Sequence, residues 1–382
     1  MLGSGHLASI EDLRQRARRR LPRAIFDFID GGSQDEVTLA ANRRDFERIA
    51  LMPRVLTDVS RRQLSTTVLG DRLAFPLIAA PTGLAGMLSR KGEVAEARAV
   101  EASGIAYCLS QMACCSIEEV KAATRRSFWF QSYLVKDRGI NEVLMERAAS
   151  AGCRVLVVTL DTKAQGPRER DMRNGFTVPP RVTWRNALDV LRRVDWIRDV
   201  AMGPRVTFAN LAGSLVGSSD IISIARFAAE QYDFSLNWSH IDWCRARWGG
   251  KFVLKGILTA QDARLAVEHG ADAVIVSNHG GRQLDHSRSA IAALPEVVEA
   301  VDGRAEVILD GGVRRGSDIL KALALGARAC MAGRPFLYGL AAGGERGVMR
   351  AIELLRTELE VNLALLGRSS VQELDRSAVR ML

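Results

Sequence analysis

Eight short apolar runs, each followed by a segment of helical periodicity, constrain the fold of this 382-residue chain more than any other feature. Each run is apolar throughout and does not alternate with polar residues, which is typical of parallel strands covered by helices on both faces. Eight such βα units predict a (β/α)₈ TIM barrel of the α/β class. The runs lie at 75–82, 106–110, 128–134, 154–161, 251–257, 273–278, 305–312 and 329–335.

The same pattern sets the expected domain organisation. We predict one domain over 1–382, in which residues 1–74 form a mostly helical N-terminal cap and residues 75–382 form the barrel. Residues 162–250 are then a long excursion after the fourth strand. A doubly wound open sheet is the alternative, but no G-x-G-x-x-G motif follows the first strand, so a Rossmann site has no support.

Charge and cysteine usage narrow the possible partners. The net charge of +9 favours anionic partners such as small acids, phosphates or an anionic lipid surface. Nucleic acid is not predicted, because the short arginine clusters are not interleaved with stacking aromatics. The six cysteines show no C-x-x-C pair or metal-ligand spacing, which favours packing in a reducing cytoplasm over redox or metal chemistry. No signal peptide is expected, and no uncharged apolar run reaches the ~20 residues of a membrane span.

Polar residues or glycines follow nearly every predicted strand. Because TIM barrels carry their active sites at the C-terminal ends of the strands, we expect these residues to share one site. Loop capping explains one or two such residues but not eight strands at once. The residues are Pro81, Thr82, Gly83, Ser110, Gln131, Tyr133, Thr159, Asp161, Lys255, Ser277, His279, Asp310, Gly311, Gly312, Arg314, Gly333 and Arg334.

The segment "SNHGGRQLD", residues 277–285, suggests proton-transfer chemistry. Taken alone, a histidine before two glycines fits an incidental turn equally well. Asp161, facing the imidazole of His279, would fix its tautomer and stabilise the imidazolium, which makes the histidine a general base near neutral pH. Arg282, three residues further on, is suited to hold a substrate carboxylate within reach of that base.

Glycines and arginines follow the last two strands, in "DGGVRRGSD" and "AGRP", where barrels of this type bind phosphate. The helix from Gly316 can direct its N-terminus at the phosphate, and at most one of the neighbours Arg314 and Arg315 is expected to face the site. Lys255 ends a buried strand, where an unpaired ammonium is unfavourable. It therefore contacts either an anionic or electron-rich atom, such as the N1–C2=O edge of a flavin, or a structural ion-pair partner.

Taken together, the motifs "APTG", "FQSY", "TLDT…GPRERDMRNGF", "SNHGGRQLD" and "DGGVRRGSDILKALALGA" resemble those of the FMN-dependent L-2-hydroxy acid dehydrogenases and oxidases. The resemblance extends from "LPRAIFDFIDGGSQDE" (21–36) to the C-terminal helices. It implies that His279, assisted by Asp161, is the base acting on a 2-hydroxy acid while reducing equivalents reach flavin N5. It also implies that Arg168 and Arg282 hold the substrate carboxylate and that Tyr133 contacts the substrate hydroxyl.

The resemblance also implies how FMN is held. The flavin would contact Thr82, Ser110, Gln131, Thr159, Lys255 and Ser277, with Pro81, Gly83 and Asp310 beside them. The phosphate would lie on Gly312, Arg314, Gly333 and Arg334. One departure concerns "AIFDFIDGG", where the family usually has a tyrosine at the position of Phe26 that helps bind the substrate carboxylate. Since Phe26 lacks the hydroxyl, we expect binding of small acids to weaken by about 1 kcal/mol, or a pocket suited to another substrate.

L-Lactate is the leading substrate, because the insert "WIRDVAMGPRVTFANL" is most similar to that of the lactate-oxidising branch. Mandelate-type substrates and an oxygen-using oxidase are the alternatives within the family, although Gly83 is often alanine in the oxidases. Outside it, the alternatives are a different FMN-binding barrel enzyme and a non-enzymatic membrane-associated binding protein. The set of base and carboxylate-binding residues argues against both.

Residues 181–230 combine arginines with Trp184, Trp196 and apolar residues at roughly helical spacing. This composition fits either an interfacial helix or an ordinary loop helix packed on the barrel. The resemblance favours the first, since related dehydrogenases carry a membrane-binding segment here. It implies peripheral attachment to the inner face of the cell membrane, electron transfer to a quinone or other acceptor, and a homotetramer.

Overall fold

The computed structural model describes residues 7–176, 184–203, 206–212 and 220–382. The chain begins with three helices, α1 (Ile10–Arg20), α2 (Arg23–Asp30) and α3 (Val37–Glu47). Three short strands follow, β1 (Ile49–Leu51), β2 (Thr66–Val68) and β3 (Asp71–Leu73). Strands β2 and β3 form an antiparallel hairpin whose two loop residues both have positive φ, as in a type I′ turn. The predicted N-terminal cap is therefore helical only in its first part.

Eight parallel strands close into a barrel in chain order, with the last strand beside the first, which confirms the predicted fold. The strands are slightly shorter than most of the predicted apolar runs, because residues at the ends of those runs, mainly the C-terminal ends, lie in loops. The strands are β4 (Leu77–Ala79), β5 (Ala106–Ser110), β6 (Trp129–Tyr133), β7 (Val155–Thr159), β8 (Lys251–Ile257), β9 (Ala273–Ser277), β10 (Glu306–Asp310) and β11 (Ala329–Ala332).

Helices connect the strands, as predicted. Ser116 caps the N-terminus of α5 and forms a capping box with Glu119. The side chain of Ser289 caps the N-terminus of α13, and Pro295 is accommodated inside this helix. The connecting helices outside the excursion are α4 (Gly92–Ala102), α5 (Ile117–Ala123), α6 (Arg138–Ser150), α12 (Ala260–Glu268), α13 (Ala290–Val301) and α14 (Gly316–Ala324).

The excursion after β7 contains five further helices among its described residues. The last of them buries Ile241 and Cys244 beside α6, so it occupies the place of the barrel helix between β7 and β8. The five are α7 (Glu169–Arg173), α8 (Trp184–Leu191), α9 (Val194–Ala201), α10 (Ile221–Glu230) and α11 (Trp238–Arg247). Parts of the predicted interfacial segment 181–230 lie outside the described residues.

Helices α8 and α9 are docked on the protein by one face and exposed on another. Trp196 donates its indole N–H to the carbonyl of Met87 at 2.7 Å, and Asp199 forms an ion pair with Arg20 at 2.6 Å. The apolar side chains exposed on and next to these helices are Trp184, Leu188, Leu191, Val194 and Met202. The segment thus packs on the protein, as expected for an ordinary loop helix. It also presents apolar side chains outward, as expected for an interfacial helix.

The barrel interior is filled by small and branched side chains together with Trp129. The β2–β3 hairpin closes its N-terminal end, where the indole of Trp129 donates to Asp71 at 3.0 Å. The chain ends in the long helix α15 (Arg334–Leu365), which packs against α1, α4 and α14, and in β12 (Val379–Met381), which pairs with β1. None of the described helices is long and apolar enough to span a membrane.

Candidate active site

A cavity of about 760 Å³ lies at the C-terminal end of the barrel and brings the predicted residues together. Apart from Phe26, three of them do not line it but bond to residues in its wall: Gln131 accepts from Ser110, Asp161 bonds to His279, and Ser277 bonds to Lys255. The predicted residues that line it are Pro81, Thr82, Gly83, Ser110, Tyr133, Thr159, Arg168, Lys255, His279, Arg282, Asp310, Gly311, Gly312, Arg314, Gly333 and Arg334.

His279 and Asp161 form the predicted pair. The Nδ1 atom of the imidazole lies 2.9 Å from Oδ1 of Asp161, so a neutral ring that donates from Nδ1 has its basic nitrogen at Nε2. His279 adopts a left-handed backbone conformation with φ of 58°, held by a bond from its N–H to the Ser277 hydroxyl. Gly256 makes room for the carboxylate, because a Cβ there would lie 2.9 Å from Cγ of Asp161.

The electrostatics of this pair keep the imidazole neutral and the carboxylate ionised. Burial lowers the pKa of His279 below its ordinary value, and the attraction of Asp161 opposes this only in part. Burial acts to raise the pKa of Asp161, but His279 and Lys255 outweigh it, so that pKa is lowered. At neutral pH the pair is therefore an unprotonated base beside a negative charge that stabilises its conjugate acid.

Two buried guanidinium groups form one wall of the cavity. They belong to Arg168 and Arg282, whose Cζ atoms lie 6.0 Å and 5.0 Å from the centre of the Phe28 ring. Arg282 is anchored to the N-terminal cap, since its Nη1 donates to the carbonyls of Phe28 at 2.6 Å and Gly31 at 3.1 Å. Nε of Arg168 is buried and has no partner among the described residues. Two cations with free N–H groups suit a ligand carboxylate.

The prediction that Phe26 borders the substrate is wrong. Phe26 is 5% exposed and belongs to the hydrophobic core, where the guanidinium of Arg14 lies over its ring at 5.8 Å. Phe28, two residues later in α2, lines the cavity instead. Residues two apart in a helix point in directions roughly 200° apart, so α2 places one ring in the core and the other in the cavity.

Lys255 both forms a structural ion pair and faces the cavity, so both alternatives left open by the sequence apply to it. Its Nζ lies 2.8 Å from the carboxylate of Asp310 and 2.9 Å from the hydroxyl of Ser277, and it also lines the cavity. Burial acts to lower the pKa of Lys255, but Asp310 and Asp161 raise it above its ordinary value. The ammonium is therefore charged, with one of its three N–H groups left for a ligand.

At the ends of β10 and β11 the structure separates the two adjacent arginines as expected. Arg314 is buried in the cavity wall, whereas Arg315 forms an ion pair with Glu358 at 2.7 Å on the surface. The expectation that the N-terminus of α14 faces a phosphate is wrong, because carboxylates already occupy it. Asp318 accepts from the backbone N–H of residues 314 and 315, and Glu358 accepts from that of Gly316.

Gly312 and Arg334 connect this end of the cavity to the N-terminal cap. A Cβ on Gly312 would lie 2.0 Å from the carbonyl oxygen of Asn42 in α3. Arg334 donates to the carbonyls of Ile29, Gly31 and Gly280 at 2.8–2.9 Å. Its guanidinium therefore ties the cap to the loop that carries His279, in addition to lining the cavity.

FMN, which the sequence resemblance implies, fits this donor set. Thr82 Oγ1 and Gln131 Nε2 are buried polar atoms without a partner among the described residues, and both are suited to the polar edge of a flavin ring. The charged groups of Lys255 and Arg314 lie in the same wall, and both favour an anionic ligand. Within the described parts of the chain, no cluster of three or more metal-binding side chains occurs.

The sequence interpretation missed several cavity residues, and most of them do not follow barrel strands. Phe28 comes from α2, and Tyr232 follows α10 in the excursion. Gln111, next to β5, accepts from the hydroxyl of Ser132 and the N–H of Tyr133. No sequence signal separates Phe28 from Phe26, since both faces of α2 carry apolar side chains. The apolar residues missed in the wall include Met112, Phe176, Phe208, Leu211, Ile221, Ile222, Phe227 and Leu236.

Comparison with known proteins places the chain. Residues 17–381 match the family described as FMN-dependent dehydrogenase. L-lactate dehydrogenase of Caulobacter sp. (strain K31) is 42% identical over 97% of this chain and 98% of that protein. L-lactate dehydrogenase of Haemophilus influenzae (strain PittEE) is 41% identical over 98% of each. The solved structure of monotopic membrane protein (S)-mandelate dehydrogenase covers 99% of this chain and 100% of that one, with 38% identity and a TM-score of 0.95. The chain therefore belongs to the FMN-dependent dehydrogenase family, and its cofactor is FMN.

Proposed function

We propose that this protein oxidises a small L-2-hydroxy acid to the corresponding 2-oxo acid, with L-lactate to pyruvate as the leading reaction, and passes the electrons to a quinone or another acceptor. The observation that carries the proposal is the cavity in which the His279–Asp161 pair and two guanidinium groups surround one space. The L-lactate dehydrogenases that are 42% and 41% identical over nearly the whole chain support the choice of substrate.

The chain's own residues supply binding and proton transfer. Arg168 and Arg282 hold the carboxylate, which fixes C2 of the acid relative to Nε2 of His279. Oxidation removes two electrons and two protons from the acid, and His279 accepts one of these protons. Asp161 stabilises the imidazolium that forms, and Tyr133 donates to the substrate oxygen at C2. Bound FMN supplies the two-electron acceptor at flavin N5.

The residues of the cavity wall also supply the proposed contacts to FMN. We assign the flavin ring to Thr82, Ser110, Gln131, Thr159, Lys255 and Ser277, with Pro81, Gly83 and Asp310 beside it. We assign the phosphate to Gly312, Arg314, Gly333 and Arg334. The unpartnered atoms of Thr82 and Gln131 support the first assignment, and the buried guanidinium of Arg314 supports the second.

The reaction is tested by anaerobic bleaching of the purified yellow protein. L-Lactate should reduce the flavin, and D-lactate should leave it oxidised. His279→Gln should retain bound FMN while losing reduction by L-lactate by a factor of at least about 10². Tyr107→Phe, in the barrel wall outside the cavity, is the matched control and should be reduced normally. If His279→Gln were reduced as fast as the wild type, the assignment of the base would be wrong.

A mandelate-type substrate is the second candidate, because apolar side chains of the excursion line the cavity. Phe208, Ile222 and Leu236 are among them, and they suit an acid with a larger side chain than a methyl group. Steady-state kcat/KM values for L-lactate, L-2-hydroxybutyrate and (S)-mandelate distinguish the two candidates. A value for (S)-mandelate at least tenfold above that for L-lactate would replace lactate by mandelate as the substrate.

Peripheral attachment to the membrane is the third part of the proposal, and it suits electron transfer to a quinone. The exposed apolar side chains of α8 and α9 support it. Replacing Leu191 and Val194 by glutamate should release the protein from membranes during a salt wash while flavin reduction by the acid stays unchanged. An unchanged membrane-bound fraction would refute the attachment. The proposed acceptor predicts rapid reoxidation of the reduced flavin by a quinone analogue but not by oxygen. The proposed tetramer predicts the mass of four chains in light scattering.

A further inference from the structure

Tyr232 follows α10 and lines the same cavity as Tyr133, Arg168 and His279. Its position is fixed by the chain on either side of it. The carbonyl and side-chain oxygens of Gln231 each accept a backbone N–H, from Lys136 and Asp137, at 3.1 Å. Since that loop begins directly after β6, the end of the excursion is tied to the segment that carries Tyr133.

The hydroxyl groups of Tyr133 and Tyr232 have no hydrogen-bond partner among the residues that the structure describes. Both tyrosines line the open cavity, and neither hydroxyl is fully enclosed by protein, so each can donate a hydrogen bond to an oxygen of a bound ligand. Phe28, which lies against the two guanidinium groups, contributes no hydroxyl.

The phenols of Tyr133 and Tyr232 have different neighbours in the cavity. The ring centre of Tyr133 lies 6.5 Å from that of His279, which places this phenol beside the base, and burial raises its pKa above the ordinary value. Burial also raises the pKa of Tyr232, and Arg168 is the one charge that opposes it. Both phenols are therefore protonated donors at neutral pH, and the charge of Arg168 acts on the phenol of Tyr232.

We infer that Tyr232 is a substrate-binding residue whose hydroxyl donates a hydrogen bond to the carboxylate of the bound acid, on the oxygen next to Arg168. The inference rests on the proposed function. A carboxylate offers about four acceptor positions, which two guanidinium groups and one phenol fill without competing for the same lone pair. Tyr133 is then left for the oxygen at C2, beside His279.

Tyr232→Phe tests the inference because it removes one oxygen atom and keeps the ring. The first measurement is equilibrium binding of oxalate to the oxidised flavoprotein, followed by the change in flavin absorbance. We expect the Kd of oxalate to rise about tenfold, the size of a charge-assisted hydrogen bond of about 1.4 kcal/mol. The second is steady-state oxidation of L-lactate, in which KM should rise by a similar factor while kcat changes by less than about twofold.

Matched variants separate this role from others. Tyr107→Phe removes a buried hydroxyl outside the cavity and should leave oxalate binding and both kinetic constants unchanged. Tyr133→Phe, on the side of the base, should instead lower kcat. Bound flavin per protein and the circular dichroism spectrum of Tyr232→Phe should equal those of the wild type, which shows that the variant is folded and loaded.

Two results would overturn the inference. One is an unchanged Kd for oxalate in Tyr232→Phe, or no binding of oxalate by the wild type. The other is a loss confined to acids with bulky side chains, which would place the phenol in the side-chain pocket. Failure of the proposed function looks different, since the wild-type flavin would then not be reduced by any L-2-hydroxy acid, whatever the affinity for oxalate.

Discussion

Glu96 on α4 is a carboxylic acid enclosed by the protein, and replacing it by glutamine should make stability less dependent on pH. Its side chain is 1% exposed, and its Oε1 has no hydrogen-bond partner among the described residues. Glu93, one turn earlier, is also buried and accepts the backbone N–H groups of Ala85 and Cys114. Burial, followed by the charge of Glu93, raises the pKa of Glu96 to about 8.

The direction of the pH dependence follows from the different pKa values of Glu96 in the folded and the unfolded protein. The ordinary pKa of a glutamate is 4.5, so above that pH the unfolded chain releases a proton that the folded protein still binds. The contribution of Glu96 to stability is therefore complete below pH 4.5 and is lost as pH rises to about 8. At about 1.36 kcal/mol for each pKa unit, the interval from 4.5 to about 8 corresponds to a loss of up to roughly 5 kcal/mol.

The assay is urea denaturation of the wild type and Glu96→Gln at a series of pH values from 5 to 8.5. The neutral amide cannot ionise, so the free energy of unfolding of the variant should exceed that of the wild type by an amount that grows with pH. Glu146→Gln, at an exposed position of α6, should give a curve parallel to that of the wild type. A difference between Glu96→Gln and the wild type that is constant over this range would refute the reasoning.

Three further changes test the site. Because burial lowers the pKa of His279, kcat/KM for the acid should fall only as pH drops below 6.5, and an acid limb above pH 7 in a pH–rate profile would contradict this. Phe28→Tyr places a donor beside the two cavity guanidinium groups, so KM for L-lactate should fall about fivefold in steady-state assays, and a rise would argue against a carboxylate there. Gly312→Ala introduces a Cβ 2.0 Å from a carbonyl oxygen and should strongly reduce the FMN bound per protein. Gly303→Ala, which also has positive φ but open space around it, is its control and should retain normal flavin absorbance.

The barrel and the residues at its strand ends are predictable because position in the chain fixes position in space there. Parallel strands end on the same side of a barrel, so Ser110, Thr159 and Lys255 must meet once the strands are recognised. The same rule led to His279 and Asp161, although their bond depends on the glycine at position 256.

Residues contributed by the cap and the excursion are not fixed in this way. Choosing between Phe26 and Phe28 requires knowing which face of α2 meets the barrel, and both faces of that helix carry apolar side chains. Tyr232 enters the cavity because the excursion returns over the barrel and bonds to the loop after β6, a path that no periodicity encodes. The N-terminus of α14 is not available to a phosphate because Asp318 and Glu358 accept its N–H groups, and the sequence does not show that these two carboxylates reach it.

Different parts of the chain supply the groups for proton transfer and the groups that select the acid. The proposed base His279 and its partner Asp161 follow barrel strands, whereas the groups proposed to bind the acid depend on the cap and the excursion. Arg282 follows β9, yet its guanidinium is held by the carbonyls of Phe28 and Gly31, and Arg168 and Tyr232 come from the excursion. A small shift of α2 would therefore move the carboxylate anchor relative to His279 without disturbing the bond between His279 and Asp161. Substitutions in the cap and the excursion should consequently alter KM and the choice of acid before they alter proton transfer, and substitutions at strand ends should do the reverse.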